Sequence, residues 1–305
     1  MYQQHFGLTD LPFSLTPNTS YFVQLAPHVE AMQVLQTALQ MGEGFIKVTG
    51  EVGSGKTLLC RKLLNELPEN FQCAYVPNPY LTPAELNWAL ANELAIDVDD
   101  NTSQMQLSNL IQQRLFELAI QGKTTVLVLD EAQAIPDDTL EALRLYTNLE
   151  TEQRKLLHLV LFGQPELDQR LATNKFRQLR QRISFSYQLR LLTDAEVHNY
   201  IQQRLRVAGL TGASAVTEAM SSIIAKAARG TPRLINVLTH KALMVCFGEG
   251  EYQLTQNHIK AAVLDTEDAV KGQFSLNKPL LFSLLAITVI ALALVVASHF
   301  YGSML

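Results

Sequence analysis

A glycine-rich segment at residues 50–57 constrains this chain more than any other feature, because it fits the spacing G-x-x-x-x-G-K-[ST] at every fixed position. Residues 45–49 before it are mostly apolar and predict a short buried strand, while residues 58–64 after it predict a helix with an apolar face. A strand, a glycine-rich loop and a helix in this order form a cradle for phosphate groups. The predicted contacts come from Gly50, Glu51, Val52, Gly53, Ser54, Gly55, Lys56, Thr57 and Leu58.

The chemistry of a polyphosphate explains why these residue types stand at this spacing. Gly53 and Gly55 let the backbone turn until successive N–H groups point inward, and the helix N-terminus adds the positive end of its dipole. Lys56 can then reach the β- and γ-phosphates, while the Thr57 hydroxyl is placed to bind Mg²⁺. The alternative is a glycine-rich turn that matches the motif by chance, and the flanking strand and helix disfavour it.

A second apolar run, at residues 125–129, ends abruptly in the carboxylates of Asp130 and Glu131. An unbroken apolar strand is typical of a parallel sheet that is covered on both faces. We expect Asp130 to hold the water shell of Mg²⁺, and Glu131 to orient or deprotonate the attacking water. The two residues would also suit a helix N-cap, but their pairing with the glycine-rich loop favours the Walker B pattern.

A further buried strand is predicted at residues 157–162, just before Gln164. A polar side chain at this position would lie beside Asp130 and Glu131, where it could sense a γ-phosphate. Gln164 is the candidate for that role, and a Gln in an ordinary turn before proline fits these residues equally well.

A basic run follows, and three interpretations of it stay open. It is a solvated face, a nucleic-acid contact, or the source of an arginine finger that reaches the ATP of a neighbouring subunit. Arg182, directly before a predicted strand at 183–189, is the first choice for the finger, Arg180 is the second, and Arg177 is a further option. The run consists of Arg170, Lys175, Arg177, Arg180 and Arg182.

After residue 192 the pattern becomes helical. Thr193 opens one helix with a capping box, a second helix is predicted over 217–228, and a third begins after Gly230 and ends near Phe247. Arg233 stands in the first turn of the third helix, from which it can fold back onto the nucleotide. These residues predict a small all-helical unit after the sheet.

The composition fits a globular chain of two compact domains, because its 305 residues are 48% hydrophobic and 17% charged. A net charge of −5 argues against a chain that binds nucleic acid through overall basicity, so nucleic acid is not an expected partner. Cys60, Cys73 and Cys246 are odd in number and far apart, which predicts reduced thiols in a cytosolic domain and no disulfide or zinc framework.

The C-terminal segment 279–298 contains no charged residue over 20 positions. As a helix it would be about 30 Å long, which matches the hydrocarbon thickness of a bilayer. Lys271 and Lys278 precede it and no Lys or Arg follows it, so the positive-inside rule places the nucleotide-binding part in the cytoplasm and residues 299–305 in the periplasm. The sequence therefore predicts a single-pass protein of the bacterial inner membrane.

The motifs together resemble those of AAA+ ATPases of the GspA/ExeA type, which stand beside type II secretion and type IV pilus systems, the MSHA pilus included. The resemblance covers nearly the whole chain. It is carried by HFGL at 5–8, Pro12-Phe13 and Pro17, the glycine-rich loop, DEAQ at 130–133, FGQPEL at 162–167, QLRQR at 178–182 and GTPR at 230–233.

This resemblance implies ATP and Mg²⁺ as cofactors, a parallel sheet of order 5-1-4-3-2, a helical lid, Gln164 as sensor 1 and Arg233 as sensor 2. It also implies ring-like homo-oligomers, hexamers among them, and partners among pilus or secretion-system envelope proteins. Fuller members of the family continue past the membrane into a peptidoglycan-binding domain, whereas this sequence stops at Leu305, so a cell-wall role is not carried over.

The predicted fold class is α/β, with a P-loop AAA+ core, a small all-α lid and a single C-terminal transmembrane helix. The predicted function is that of a membrane-anchored ATPase that hydrolyses Mg-ATP to assemble or remodel an envelope machine. An ATP-dependent scaffold with negligible turnover and a DNA-dependent ATPase are the alternatives. The predicted parts are an N-terminal loop segment packed on the nucleotide domain (1–27), the nucleotide domain (28–190), the lid (191–264), a linker (265–278), the transmembrane helix (279–298) and the tail (299–305).

Overall fold

The computed structural model describes residues 2–16, 18–99, 101–152, 154–211 and 215–271. Helices and strands alternate through the first part of these ranges, and helices alone follow. The helices are α1 (Tyr2–His5), α2 (Ala26–Gln40), α3 (Lys56–Glu66), α4 (Pro83–Glu93), α5 (Gln104–Ile120), α6 (Asp137–Tyr146), α7 (Pro165–Leu171), α8 (Arg177–Arg180), α9 (Asp194–Val207), α10 (Glu218–Ala228), α11 (Pro232–Gly248) and α12 (Gln256–Leu264). The strands are β1 (Phe45–Gly50), β2 (Phe71–Val76), β3 (Thr124–Leu129), β4 (Leu157–Gly163) and β5 (Phe185–Leu189).

The five strands form one parallel sheet in the order β2-β3-β4-β1-β5. From the opposite edge this order is 5-1-4-3-2, the arrangement that the resemblance implies. Thr49 of β1 lies opposite Gly163 of β4, and Leu129 of β3 lies opposite Leu161 of β4. The carboxyl ends of β1, β3 and β4 therefore lie side by side in the middle of the sheet, where parallel α/β folds bind their ligands.

Both faces of the sheet are covered, which explains why its central strands are apolar throughout. Alternate strand residues point to opposite faces. Helices α4, α5 and α6 cover one face through Leu90, Leu115 and Leu140. Helices α2 and α3 cover the other face through Leu35 and Leu59. The strands are thus held rigidly, and the loops at their carboxyl ends have a fixed base.

The lid helices α9 to α12 share a hydrophobic core with the N-terminal segment. Tyr2, Leu8 and Phe13 are buried in this core together with Ile201 and Leu238. The start of the segment therefore has apolar partners on the lid helices, and the predicted packing of residues 1–27 on the nucleotide domain stays a prediction. Residues Met1–Val270 form one compact unit, and the boundary predicted between nucleotide domain and lid stays a prediction.

The predicted membrane-spanning helix calls for a correction to the fold class. Among the residues that the structure describes, no helix is long and apolar enough to cross a membrane. The longest of them, α5 and α11, have 17 residues each, whereas a span needs about 20 apolar residues. The segment 279–298, to which the prediction refers, lies outside the described residues. The described fold is thus an α/β P-loop fold with a helical lid. It does not support the predicted single-pass inner-membrane topology with a periplasmic C-terminus.

Candidate functional site

The glycine-rich loop connects β1 to α3 and takes the backbone conformation that its glycines predict. Gly53 and Gly55 have φ angles of +77° and +101°, in the left-handed region that side chains disfavour. A Cβ at Gly53 would lie 2.6 Å from Arg233 Cβ, and one at Gly55 would lie 2.9 Å from His28 Nε2. Both glycines are therefore required by close neighbours as well as by the turn.

Lys56, the first residue of α3, lies inside this loop and is only 5% exposed. Its Nζ donates hydrogen bonds to the carbonyl oxygens of Gly50 at 2.8 Å and Glu51 at 2.9 Å. Burial lowers the pKa of the Lys56 ammonium, and the charges of Glu131 and Asp130 act in the opposite direction. The ammonium is thus held at the loop, next to two carboxylates, where a polyphosphate would bind.

Asp130 stands directly after β3 and is 2% exposed. Its Oδ1 accepts a hydrogen bond from the Glu131 N–H at 2.9 Å. Burial raises the pKa of the Asp130 carboxyl, while the hydrogen bonds from the Glu131 N–H and the Thr57 hydroxyl lower it. A carboxylate and a hydroxyl in contact offer the hard oxygen ligands that Mg²⁺ prefers, so Asp130 and Thr57 fit the predicted metal site.

Glu131 and Gln164, predicted from separate strands, are brought into direct contact. Gln164 Nε2 donates to Glu131 Oε2 at 3.1 Å. Gln133 Nε2 donates to the same oxygen at 2.6 Å, and Gln133 Oε1 accepts from the Gln164 N–H at 3.0 Å. Glu131 itself has a φ angle of +51°, in the left-handed region that residues other than glycine rarely adopt. The Glu131 carboxylate is therefore oriented by two amide groups.

Gln133, the last residue of the DEAQ motif at 130–133, is a site residue that the sequence did not predict. Its backbone carbonyl accepts from Arg170 Nη1 at 2.8 Å, so the first arginine of the basic run is an internal support of the site. Arg170 and Lys175 both bind Asp137 as well, at 2.5 and 2.8 Å. One carboxylate offsets only part of the charge of these two cations, so the interpretation of the basic run as a nucleic-acid contact stays a prediction.

The two finger candidates lie on and just after α8, away from the lining of the cavity beside the loop. Arg180 and Arg182 are both exposed, and Arg180 Nη1 donates to the Ala172 carbonyl at 3.1 Å. Arg177 is exposed too. A finger that serves a neighbouring subunit has to lie outside its own site, so this placement is compatible with action in trans.

Arg233 lies where a lid residue can reach the nucleotide. Its backbone N–H donates to the Gly53 carbonyl at 3.1 Å, so the first turn of α11 is docked on the loop. A cavity of about 320 Å³ opens at this contact, and Arg233, Lys56, Glu131 and Gln164 line it. The structure thus brings together every predicted site residue outside the finger candidates.

Several cavity residues have no signal in the sequence. His28 of α2 is buried, and since a carbonyl can only accept, its Nε2–H donates to the Ser54 carbonyl at 3.1 Å. Burial lowers the pKa of His28, so its ring is neutral at neutral pH. Residues 14–16 and 21–23 line the same cavity, as do Tyr200, Arg204 and Asn236 of the lid. They come from distant parts of the chain, and only the fold places them around the loop.

A group of possible ligands outside this cavity also has an explanation within the fold. Glu249, Glu251 and His258 lie close enough to hold a metal ion. The Thr255 N–H, however, donates to His258 Nδ1 at 3.1 Å, so the ring hydrogen is on Nε2, which faces Glu249 at 2.9 Å. A hydrogen-bonded imidazole of this kind closes the start of α12 and has no free nitrogen for a metal.

The chain is similar to known proteins in sequence and in fold. Residues 39–171 match a family described as AAA domain. The chain is 38% identical over 302 residues to general secretion pathway protein A of Aeromonas hydrophila. The match covers 99% of this chain and 54% of that protein, so the chain spans about half the length of the curated relative it matches.

Among solved structures, Cdc6p from Pyrobaculum aerophilum has a TM-score of 0.65 at 19% identity, with 82% of this chain and 69% of that chain covered. Drosophila ORC bound to DNA has a TM-score of 0.62 at 17% identity, with 86% and 65% covered. The Thermotoga maritima RuvB branch migration motor has a TM-score of 0.54 at 18% identity, with 81% and 72% covered. At these identities the likeness establishes a shared fold.

Proposed function

Because this chain carries an AAA ATPase domain and resembles general secretion pathway protein A along nearly its whole length, we propose that it hydrolyses Mg-ATP to assemble or remodel a secretion apparatus of the cell envelope. The observation that carries the proposal is the convergence of Lys56, Thr57, Asp130, Glu131 and Gln164 at the carboxyl ends of β1, β3 and β4. These are the parts that phosphoryl transfer to water requires, namely a phosphate cradle, a metal site and a group that orients water.

Each residue has a distinct part in the proposed reaction. The loop N–H groups and Lys56 bind the phosphates, and Thr57 with Asp130 would hold Mg²⁺, which offsets negative charge on the phosphate oxygens. Glu131 orients the water for attack, and the hydrogen bond between Gln164 and Glu131 supports a role for the Gln164 amide in sensing the γ-phosphate. Arg233 closes the site from the lid side.

The proposal extends to oligomers, in which Arg182 or Arg180 of one subunit completes the site of the next. We infer a ring-like homo-oligomer, a hexamer being one such ring, from the family resemblance and from the exposure of both arginines on a surface outside their own cavity. Arg177 is a further option for the finger. Light scattering in the presence of ATP measures the oligomer.

The partner of the proposed activity is an envelope protein of a secretion apparatus, which the name of the relative supports. A type IV pilus of the MSHA kind is the finer alternative, and its support is the sequence resemblance alone. Crosslinking of the protein in its native cell, followed by identification of the attached proteins, distinguishes a secretion apparatus from a pilus.

Steady-state hydrolysis by the purified chain tests the central claim. Turnover that depends on Lys56, Glu131 and Mg²⁺ is the expected result. ATP-dependent oligomers without measurable turnover would favour a scaffold instead. Stimulation by DNA at low salt would favour a DNA-dependent ATPase, a class that the fold shared with ORC bound to DNA supports and the net charge of −5 argues against.

A further inference from the structure

Arg204, on α9, is a buried cation at the edge of the cavity. It is 5% exposed, and within the ranges that the structure describes no carboxylate forms an ion pair with it. Its Nε donates to the Pro12 carbonyl at 2.5 Å, and its guanidinium lies 5.0 Å from the ring centre of Tyr21 and 5.4 Å from that of Tyr200. Burial of a charge costs free energy unless the surrounding groups compensate it, so the groups that Arg204 contacts are expected to indicate its function.

Arg204 begins a chain of hydrogen bonds whose direction is fixed. Its Nη1 donates to the Tyr200 hydroxyl at 2.9 Å. Because a guanidinium has no acceptor, the hydroxyl must accept this bond and its own hydrogen is free to donate onward. It does so to Asn236 Oδ1 on α11, at 3.0 Å. The Asn236 oxygen thereby accepts from Tyr200, which leaves the amide nitrogen Nδ2 to donate to another group.

Asn236 stands at the cavity wall, one helical turn beyond the contact between Arg233 and the glycine-rich loop. Three residues of helix advance it by about 4.5 Å along α11. Tyr200, Arg204 and Asn236 all line the cavity, together with the apolar side chains of Phe22 and Val23. Within the described part of the chain, no protein acceptor pairs with the amide nitrogen of Asn236, which is 6% exposed.

We propose that Asn236 donates a hydrogen bond from Nδ2 to a ring nitrogen of the nucleobase, and that Tyr200 and Arg204 are positioning residues that hold the amide in this orientation. This rests on the proposed function, since it assumes that the phosphates occupy the glycine-rich loop. Phe22 and Val23 make part of the cavity lining apolar, which suits a base better than a sugar, because ligand pockets combine apolar and aromatic surface with a few placed polar groups.

Equilibrium binding by calorimetry tests the proposal with the full chain in the presence of Mg²⁺. The ligands are ATP, 2′-deoxy-ATP and inorganic tripolyphosphate. Asn236→Leu should weaken binding of ATP and 2′-deoxy-ATP about tenfold, the effect of one lost hydrogen bond of about 1.4 kcal/mol. The same variant should bind tripolyphosphate as the parent does, because the cradle for phosphates is intact.

Two further variants separate positioning from general damage. Tyr200→Phe removes the hydroxyl that fixes the amide and should weaken ATP binding about threefold, with no effect on tripolyphosphate. Thr239→Val is the matched control on α11, because Thr239 is buried, bonds back to the Ile235 carbonyl and does not line the cavity. It should bind all three ligands as the parent does.

Three results would overturn the assignment of Asn236. They are an unchanged ATP affinity in Asn236→Leu, an equal loss of affinity for tripolyphosphate, and a penalty that disappears with 2′-deoxy-ATP, which would move the contact to the ribose. If the parent chain binds neither ATP nor tripolyphosphate, the proposed function is refuted, and the base contact with it. Intact ATP binding by the parent and by the Asn236 variant would refute the base contact alone.

Discussion

Replacement of Gln133 by methionine tests how the Glu131 carboxylate is oriented. The change keeps the length of the side chain and removes the amide that donates to Glu131 Oε2 at 2.6 Å and accepts from the Gln164 N–H at 3.0 Å. A hydrogen bond to a charged group contributes roughly 1.5–3 kcal/mol, and each 1.36 kcal/mol of barrier changes a rate tenfold. Because Gln164 Nε2 still holds the same oxygen at 3.1 Å, we expect kcat to fall by about tenfold.

Nucleotide binding should be unchanged in Gln133→Met, since Gln133 does not line the cavity. The assay is therefore steady-state ATP hydrolysis together with equilibrium binding of ATP. Gln133→Glu keeps an acceptor for the Gln164 N–H but replaces the donor by a second carboxylate, and it should lose at least as much activity. Gln112→Met, the same substitution at an exposed position of α5, is the control and should behave as the parent does. A kcat within twofold of the parent in Gln133→Met would refute the orienting role.

The remaining predictions concern the loop, the finger and pH. Lys56→Ala should abolish productive ATP binding, whereas Glu131→Gln should bind ATP and fail to hydrolyse it; hydrolysis at the parental rate in the second variant would contradict its role. Arg182→Ala should bind ATP but hydrolyse it slowly. Mixing it with an excess of Lys56→Ala subunits should restore part of the rate. No such recovery is expected if the finger acts within one subunit. Burial lowers the pKa of His28 and His158, so the unfolded chain binds more protons below about pH 6.5 and the free energy of unfolding should fall as the pH drops. Denaturant midpoints between pH 7.5 and 5.5 measure this, and His158→Gln should reduce the slope.

The parts of the site that sequence could predict are those encoded by consecutive residues. The loop at 50–57 and the pair Asp130-Glu131 each follow an apolar strand, and a parallel sheet brings the carboxyl ends of such strands together. The contact between Glu131 and Gln164 then follows from the adjacency of β3 and β4. The capping box at Thr193 is confirmed for the same reason, because it depends only on residues three apart.

The part of the cavity wall outside the sequence motifs could not be predicted, because its residues come from four separate segments. His28 is 26 residues away from the Ser54 carbonyl that it holds, and Arg204 is 192 residues away from the Pro12 carbonyl. Neither residue belongs to a motif whose chemistry names its partner. The short helix α6 was missed for a local reason, since Pro136 precedes it and no side chain caps it.

Helix α11 is the element through which the two ends of the cavity are linked. Its first turn is docked on the loop, where the Arg233 N–H donates to the Gly53 carbonyl. The absence of a Cβ at Gly53 lets the helix and the loop approach each other. Its second turn carries Asn236, which Tyr200 holds from α9. Because both contacts are on one helix, any displacement of α11 moves Asn236 and the turn docked on the glycine-rich loop at the same time. We therefore expect the affinity for ATP to depend on the position of the lid through this helix, and the N-terminal segment to take part because Arg204 ties Pro12 to the same lid.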